Sequence, residues 1–242
     1  MKTLLLINPN TSAAVTDVLL HHVQAELGNR ATVHAATAAF GASYIASEAS
    51  YALATHATLD VYARFVAAAK APDAVLIGCF GDPGLFALRA LCPAPVSGLA
   101  QAAFHEAARH GTFAIVTAGE PWRAILTRHL QALGCAQHLA GIRTLAQSAA
   151  ELAADPQRAR ALLAATCQEV VATTGARSVI LGGAGLAGVA ATIAERIGVP
   201  VIDSVRAGAR QALDSDACPR STPDGASFSA ISAPLLRLLG RP

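Results

Sequence analysis

Aromatic and charged residues are scarce in this chain: Phe, Trp and Tyr make up 5% of it, Asp, Glu, Lys and Arg 14%, with one Trp and one Met. The net charge is only +2 and the Arg and Lys residues are scattered, so there is no basic stripe of the kind that binds nucleic acid or a membrane surface. No stretch reaches the roughly 18–20 strongly apolar residues of a membrane span, and the long uncharged segment 178–194 is Gly-rich. No signal peptide is expected, because the apolar run Leu4–Ile7 meets Asn8-Pro9 at once. The five cysteines are odd in number and contain no C-x-x-C pair, which points to a reduced, cytoplasmic protein rather than a disulfide scaffold. The eight histidines are dispersed and the adjacent His21 and His22 point to different sides of a helix, so no metal site is expected.

What the chain does hold is apolar content, 53% of 242 residues and much of it alanine. That suits helices packed closely on sheets, and the length suits two lobes of roughly 100 residues each. The organising stretch is Asp73-Ala-Val-Leu-Ile-Gly-Cys-Phe-Gly-Asp-Pro-Gly84. Its short apolar run reads as a buried parallel strand ending at Cys79. Asp82 then suits a cap for the following helix and Pro83 its first turn. A thiol at the carboxyl end of a strand, facing a helix amino end, lies where sites collect in open α/β sheets, and the helix dipole there lowers a thiol pKa.

An internal repeat follows. Asp73-Ala-Val-Leu-Ile-Gly-Cys79 aligns with Arg177-Ser-Val-Ile-Leu-Gly-Gly183, and Leu4–Asn10 with Phe113–Gly119. Pro95-Val96 and Pro200-Val201 follow at nearly the same interval. The expected fold is therefore α/β, with two pseudosymmetric lobes, each a mainly parallel sheet flanked by helices, and a cleft between matching strand ends. Residues 1–97 plus about 205–242 would form the first lobe and 98–204 the second. Gly183 stands where the repeat would put a second Cys79. After Asp214, the residues around Pro219, Pro223 and Gly225 read as irregular chain before a short helix near Leu235–Leu239.

Five segments carry a resemblance: Ile7-Asn-Pro-Asn-Thr-Ser12, Phe40-Gly-Ala-Ser-Tyr44, Gly78-Cys-Phe-Gly-Asp-Pro-Gly84, Val116-Thr-Ala-Gly119 and Leu181-Gly-Gly-Ala-Gly185. Through them the chain resembles the aspartate/glutamate racemase superfamily, in its hydantoin and allantoin racemase branch. The resemblance implies two lobes, an active site between them and no cofactor. It also implies a pair of cysteines flanking the substrate's acidic carbon, one for each face. Cys79 matches the first, and Gly183 occupies the place of the second. The implied activity is proton transfer at a carbon acidified by an adjacent carbonyl, in a hydantoin, allantoin or amino-acid-like substrate.

Cys79 is thus the expected acid/base. Asn10, Ser43, Tyr44, Phe80, Gly81, Asp82, Thr117, Ala118, Ala184 and Gly185 are the expected substrate contacts. Each also has a plainer reading. A strand cysteine is often a small buried hydrophobe, Asn10 a turn residue, Asp82 and Thr117 helix caps, Ser43 and Tyr44 loop residues. Trp122 reads as packing. Two-base racemisation needs an acid and a base on opposite faces, and glycine has no proton to give. A lone thiol could serve a decarboxylase of arylmalonate type, whose thiol lies in the other lobe, or the chain could be an impaired or engineered variant that only binds its ligand. Gly183-Ala-Gly-Leu-Ala-Gly188 also has the G-x-G-x-x-G spacing, with Asp203 where a ribose ligand would fall. The short irregular remainder after Asp203 leaves no room for the rest of a dinucleotide fold. The expected partner is a small molecule with a carbonyl or carboxylate, and the chain allows a homo-oligomer.

Overall fold

In the computed structural model the described residues are 1–147, 149–216 and 226–240, so Cys218, Pro219, Pro223 and Gly225 lie outside them. The order is β1 (Lys2–Asn8), α1 (Ala13–Leu27), β2 (Ala31–Thr37), α2 (Glu48–Ala68), β3 (Ala74–Ile77), α3 (Leu85–Leu91), β4 (Val96–Gly98), α4 (Leu99–Ala108) in the first half. The second continues with β5 (Phe113–Ala118), α5 (Trp122–Ala132), β6 (Leu139–Leu145), α6 (Ala149–Ala154), α7 (Pro156–Thr174), β7 (Ser178–Gly182), α8 (Val189–Ile193), β8 (Val201–Asp203), α9 (Ser204–Asp214) and α10 (Ala233–Leu238). The strands make two four-stranded sheets, β2-β1-β3-β4 and β6-β5-β7-β8, parallel at every pairing. The sequence repeat is therefore a repeat of topology.

Strand alternation assigns each side chain to a layer. Leu4, Leu6, Leu76, Phe113, Ile115 and Ile180 face a central core shared by both sheets. Leu5, Ile7, Val75 and Ile77 face an outer core with Val61 and Tyr62 of α2 and Leu88 of α3. Ala114, Val116, Val179 and Leu181 face the opposite outer core with Leu163 and Cys167 of α7. The residues Leu4–Ile7 are wholly buried, as a strand covered on both faces requires. Each such side chain contributes roughly 1.5–3 kcal/mol by leaving water.

Two helices fill the middle layer. α4 follows β4 of the first sheet yet packs on β7 and β8 of the second, whereas α9 follows β8 yet packs on β3 and β4 of the first. α4 and α9 also pack on each other, and α1 lies against α9. Ion pairs span this crossing: Arg210 of α9 pairs with Glu26 of α1 at 2.7 Å and Glu106 of α4 at 2.8 Å. α10 rests on α2.

In both sheets, strand order reverses direction between the first and third strands, β1/β3 and β5/β7. Open α/β sheets form a crevice at the carboxyl ends on either side of such a switch point. The two switch points face one another, which places Asn10, Cys79, Ala118 and Gly183, at or just after the four strand ends, around one cavity.

Candidate active site

A cavity of about 500 Å³ opens between these four strand ends. Cys79 and Gly183 both line it, together with Asn10, Ser43, Tyr44, Phe80, Thr117, Ala118, Ala184 and Gly185. Gly81 and Asp82, expected as substrate contacts, are not among its lining residues. Their position has a physical reason. Asp82 is 1% exposed, and its carboxylate accepts the Ala100 N–H at 2.9 Å and the Gln101 N–H at 2.8 Å. It caps α4, not the adjacent α3, whose amino end is Gly84, so Pro83 also falls before that helix. His129 Nε2 lies 2.9 Å from the same carboxylate, and Asp82 holds a left-handed φ of 52°. A non-glycine residue there is uncommon, and these contacts hold it in place.

Cys79 is 8% exposed and lines the cavity. Burial, reinforced by the negative charge of Asp82, pushes the thiol pKa well above the ordinary range. The helix-dipole activation expected from sequence does not prevail, because α3 begins after Gly84 and the Asp82 carboxylate stands nearer the sulfur's turn. Desolvation favours the neutral thiol and an adjacent anion favours it further. The resting group is an acid.

Asn10 is held by an oriented network. Asn8 Nδ2 and the Ser12 N–H donate to Asn10 Oδ1 at 3.0 and 2.9 Å, and the Asn10 N–H donates to Asn8 Oδ1 at 3.2 Å. Asn8 Nδ2 also reaches Thr16 Oγ1 and the Ser12 carbonyl. Two donors on one oxygen fix the side-chain amide orientation and leave Asn10 Nδ2 as a donor at the cavity, suited to a carbonyl oxygen. Thr117 lies on the repeat position of Asn8, but its hydroxyl donates to the Gly182 carbonyl at 2.8 Å. Its proton is engaged in holding the end of β7, so towards a ligand it can only accept.

Residue 183 brings no ionisable group to the cavity. Gly183 has φ 133° and ψ 139°, and its N–H donates to Ser204 Oγ at 3.3 Å. A Cβ there would meet only Leu186 Cγ, at 4.0 Å. Space for a side chain exists; the backbone angle is one that only glycine adopts at low cost. The neighbouring glycines are constrained differently. A Cβ on Gly182 would fall 2.0 Å from Phe80, and one on Gly81 2.6 Å from Trp122. Each half thus seats an aromatic ring against a glycine of the other half.

Trp122, read from sequence as packing, both packs and lines the cavity. Sequence reasoning missed Ser12, Val15, Val18, Ile45 and Leu186. The usable signal was position: α1 starts directly after the β1 end, so its first turns overhang the cleft. The dinucleotide fingerprint has a different explanation. Asp203 Oδ1 accepts the Val205 and Arg206 N–H groups while Oδ2 accepts the Gly188 N–H at 2.6 Å. The carboxylate is fully engaged with backbone and is not offered to a ribose. Among the described residues no three His, Cys, Asp or Glu side chains gather as a metal site, and no helix is long and apolar enough to cross a membrane.

The family model for Asp/Glu/hydantoin racemases matches residues 4–212. The chain belongs to that family. A hydantoin racemase from Paenarthrobacter aurescens is 34% identical over 210 residues, covering 86% of this chain and 89% of that protein. An allantoin racemase from Klebsiella pneumoniae superposes with a TM-score of 0.85 at 27% identity, over 98% of this chain and 99% of that one. The allantoin racemase from Pseudomonas fluorescens gives 0.82 at 28% identity, over 88% and 89%. Unliganded arylmalonate decarboxylase, at 17% identity and a TM-score of 0.60, shares the fold alone. By family, the chain is a racemase-superfamily isomerase.

Proposed function

We propose that this enzyme moves a proton, without a cofactor, at a carbon flanked by a carbonyl in a small cyclic amide of the hydantoin type, with Cys79 as the acid/base. The observation that carries this reading is Cys79, just after a strand end, lining the inter-sheet cavity that the oriented Asn10 amide also lines. In the proton-abstracting direction the Cys79 thiolate takes the hydrogen, the C–H bond breaks and an S–H bond forms. The electron pair moves onto the adjacent carbonyl oxygen, where Asn10 Nδ2 and the backbone amides near Phe80 and Ala184 stabilise the developing charge. Ser43 and Tyr44, on the loop whose Ala42 carbonyl accepts the Thr11 N–H, close the outer side.

Because residue 183 offers no proton, return from Cys79 regenerates the same hand of substrate. Inversion needs water on the Gly183 side. The expected signature is deuterium exchange at the acidic carbon outpacing racemisation. Replacing Cys79 by Ser should abolish that exchange while the fold persists; undiminished exchange in the variant would refute the assignment. A one-thiol decarboxylase is the second reading, favoured by the thiol standing ready as an acid. Against it, no cationic side chain among the described cavity residues is available to hold a diacid.

A further inference from the structure

The turn that carries the thiol in one half is held by a helix of the other. Trp122, Ile125, Leu126 and His129 recur at the three- and four-residue spacing that puts side chains on one helix face, and all four are buried. Trp122 packs against Gly81, and two turns further along α5 His129 Nε2 lies 2.9 Å from Asp82 Oδ2. From α2, the Tyr51 hydroxyl donates to the Gly81 carbonyl at 2.7 Å. The Cys79 carbonyl accepts both the Gly81 and the Asp82 N–H groups at 3.0 Å, so whatever fixes Asp82 also fixes the backbone of Cys79.

Capping α4 takes only the Ala100 and Gln101 donations to Asp82. The third contact, from His129, is one that capping does not require. His129 is 5% exposed, between the rings of Phe86 of α3 and Phe104 of α4. An ionised carboxylate can only accept, so the imidazole donates through Nε2. The other ionisable groups that feel Asp82 are Cys79, Tyr51 of α2 and the exposed His105 of α4. Arg128 and Glu48 pair at the exposed edge beside Tyr51, and Arg89 and Arg109 act on His105.

We infer that His129 is a positioning residue for the reaction: its Nε2–H draws the Asp82 charge away from the thiol three residues earlier and fixes the turn on which Cys79 stands. The inference rests on Cys79 being the acid/base and adds the group that governs how readily its thiolate forms. A nearby anion favours the neutral thiol, and a hydrogen bond to that anion weakens its pull. With the donor gone, the carboxylate faces Cys79 less compensated and the thiolate becomes scarcer.

Two readouts separate this from catalysis itself: the rate at which iodoacetamide alkylates Cys79, followed by peptide mass spectrometry against pH, and deuterium exchange on 5-methylhydantoin. In His129→Leu both rates should fall about tenfold at neutral pH and recover at higher pH, since the thiolate fraction drops about tenfold for each unit the thiol rises. His129→Gln, which keeps an N–H at the same reach, should restore most of both. In an Asp82→Asn background, His129→Leu should change neither profile. Unaltered or faster alkylation in His129→Leu would overturn the inference, as would an equal loss in the Asp82→Asn background. Should the leucine variant fail to fold, nitrogen NMR of the unaltered chain decides: the His129 proton should sit on Nε2 and its signal should move as Cys79 titrates, and an Nδ1–H tautomer would overturn the inference. Shifted alkylation in a chain that never exchanges substrate supports the positioning role and sinks the catalytic reading. Exchange that depends on Cys79 but ignores His129 does the reverse.

Discussion

The two halves solve the same structural problem with their residues exchanged. In each, a carboxylate must cap the helix that crosses into the other half and must also pin the turn after the central strand. In the first half the carboxylate comes from the turn, as Asp82, and the cap position is Gly98. A Cβ on Gly98 would lie 2.1 Å from the Asp82 carboxyl carbon, so the glycine exists to admit that group. In the second half the carboxylate sits at the cap position itself, as Asp203, and reaches back to the turn at Gly188. The mechanical role is conserved between the halves and the electrostatic consequence is not. Asp82 is three residues from Cys79 and raises its pKa, whereas Asp203 has no thiol beside it. The frame is duplicated; the strand-end thiol stands in one copy.

The largest expected effect breaks that asymmetry at its source. Cys79→Ser should lower substrate exchange by about 10²–10⁴-fold, the usual contribution of a positioned acid/base. In the unaltered enzyme the exchange rate should climb steadily from neutral into alkaline pH. The sign follows from the raised pKa: the thiolate is the minor form at neutrality and its fraction grows about tenfold per pH unit. A plateau below pH 8 in stopped-flow or NMR exchange measurements would contradict the elevated thiol.

Next comes the cap itself. Asp82→Asn leaves one acceptor for the Ala100 and Gln101 amides and removes the charge facing His129. A buried donor left unpaired costs about 1–3 kcal/mol, and losing the buried charged contact adds to it. Denaturant unfolding should show about 2–4 kcal/mol lost. The folded fraction should exchange faster at a given neutral pH, because removing the anion lowers the Cys79 pKa. Asp203→Asn, at the buried cap of α9, should cost about 1–2 kcal/mol and leave the pH profile unmoved.

These contrasts explain how much was legible beforehand. Both sheets were readable because their strands are short apolar runs bounded by Gly, Pro and Asn, and because the repeat appears twice. Cys79, Asn10 and Thr117 were readable as strand-end residues. Asp82 was misplaced because its carboxylate acts on residues 100 and 101, a contact across chain that local capping patterns do not reveal. The crossing of α4 and α9 is invisible for the same reason: each helix follows one sheet and packs on the other. The Ala149–Ala154 helix was missed, being a short alanine-rich segment with no distinct period. Val15 and Val18 looked like an ordinary helix face until the position of α1 over the cleft made them cavity wall.

Restoring the duplicated thiol sharpens the comparison from the other side. Gly183→Cys has room for its side chain, yet its φ of 133° should cost about 1–2 kcal/mol of stability or force the peptide to turn. If residue 183 is the vacant second face, the ratio of racemisation to exchange should rise towards one in this variant. Polarimetry and proton NMR on the same sample measure both. A stable variant whose ratio stays well below one would mean that residue 183 does not face the second side of the substrate.

The smallest effect concerns the bond between the halves. Glu26 of α1 accepts from Arg206 at 2.5 Å and Arg210 at 2.7 Å, while Arg210 also reaches Glu106 of α4. Burial alone would push the Glu26 carboxyl up, but the hydrogen bonds and charges of the two arginines outweigh it and hold the pKa below its ordinary value. A depressed carboxyl stabilises the fold above its unfolded pKa near 4.5, and that contribution disappears as pH falls through the lower folded value. Both arginines are partly exposed, so the contribution is about 1 kcal/mol or less and weakens in salt. Glu26→Gln should therefore flatten the loss of stability between pH 5 and pH 3 while leaving stability at pH 8 only slightly lower. Because the pair ties crossing helix α9 to α1 and not to the cavity, exchange at saturating substrate should be unchanged. If exchange fell along with stability, the crossing helices would be setting the cavity geometry as well as joining the sheets.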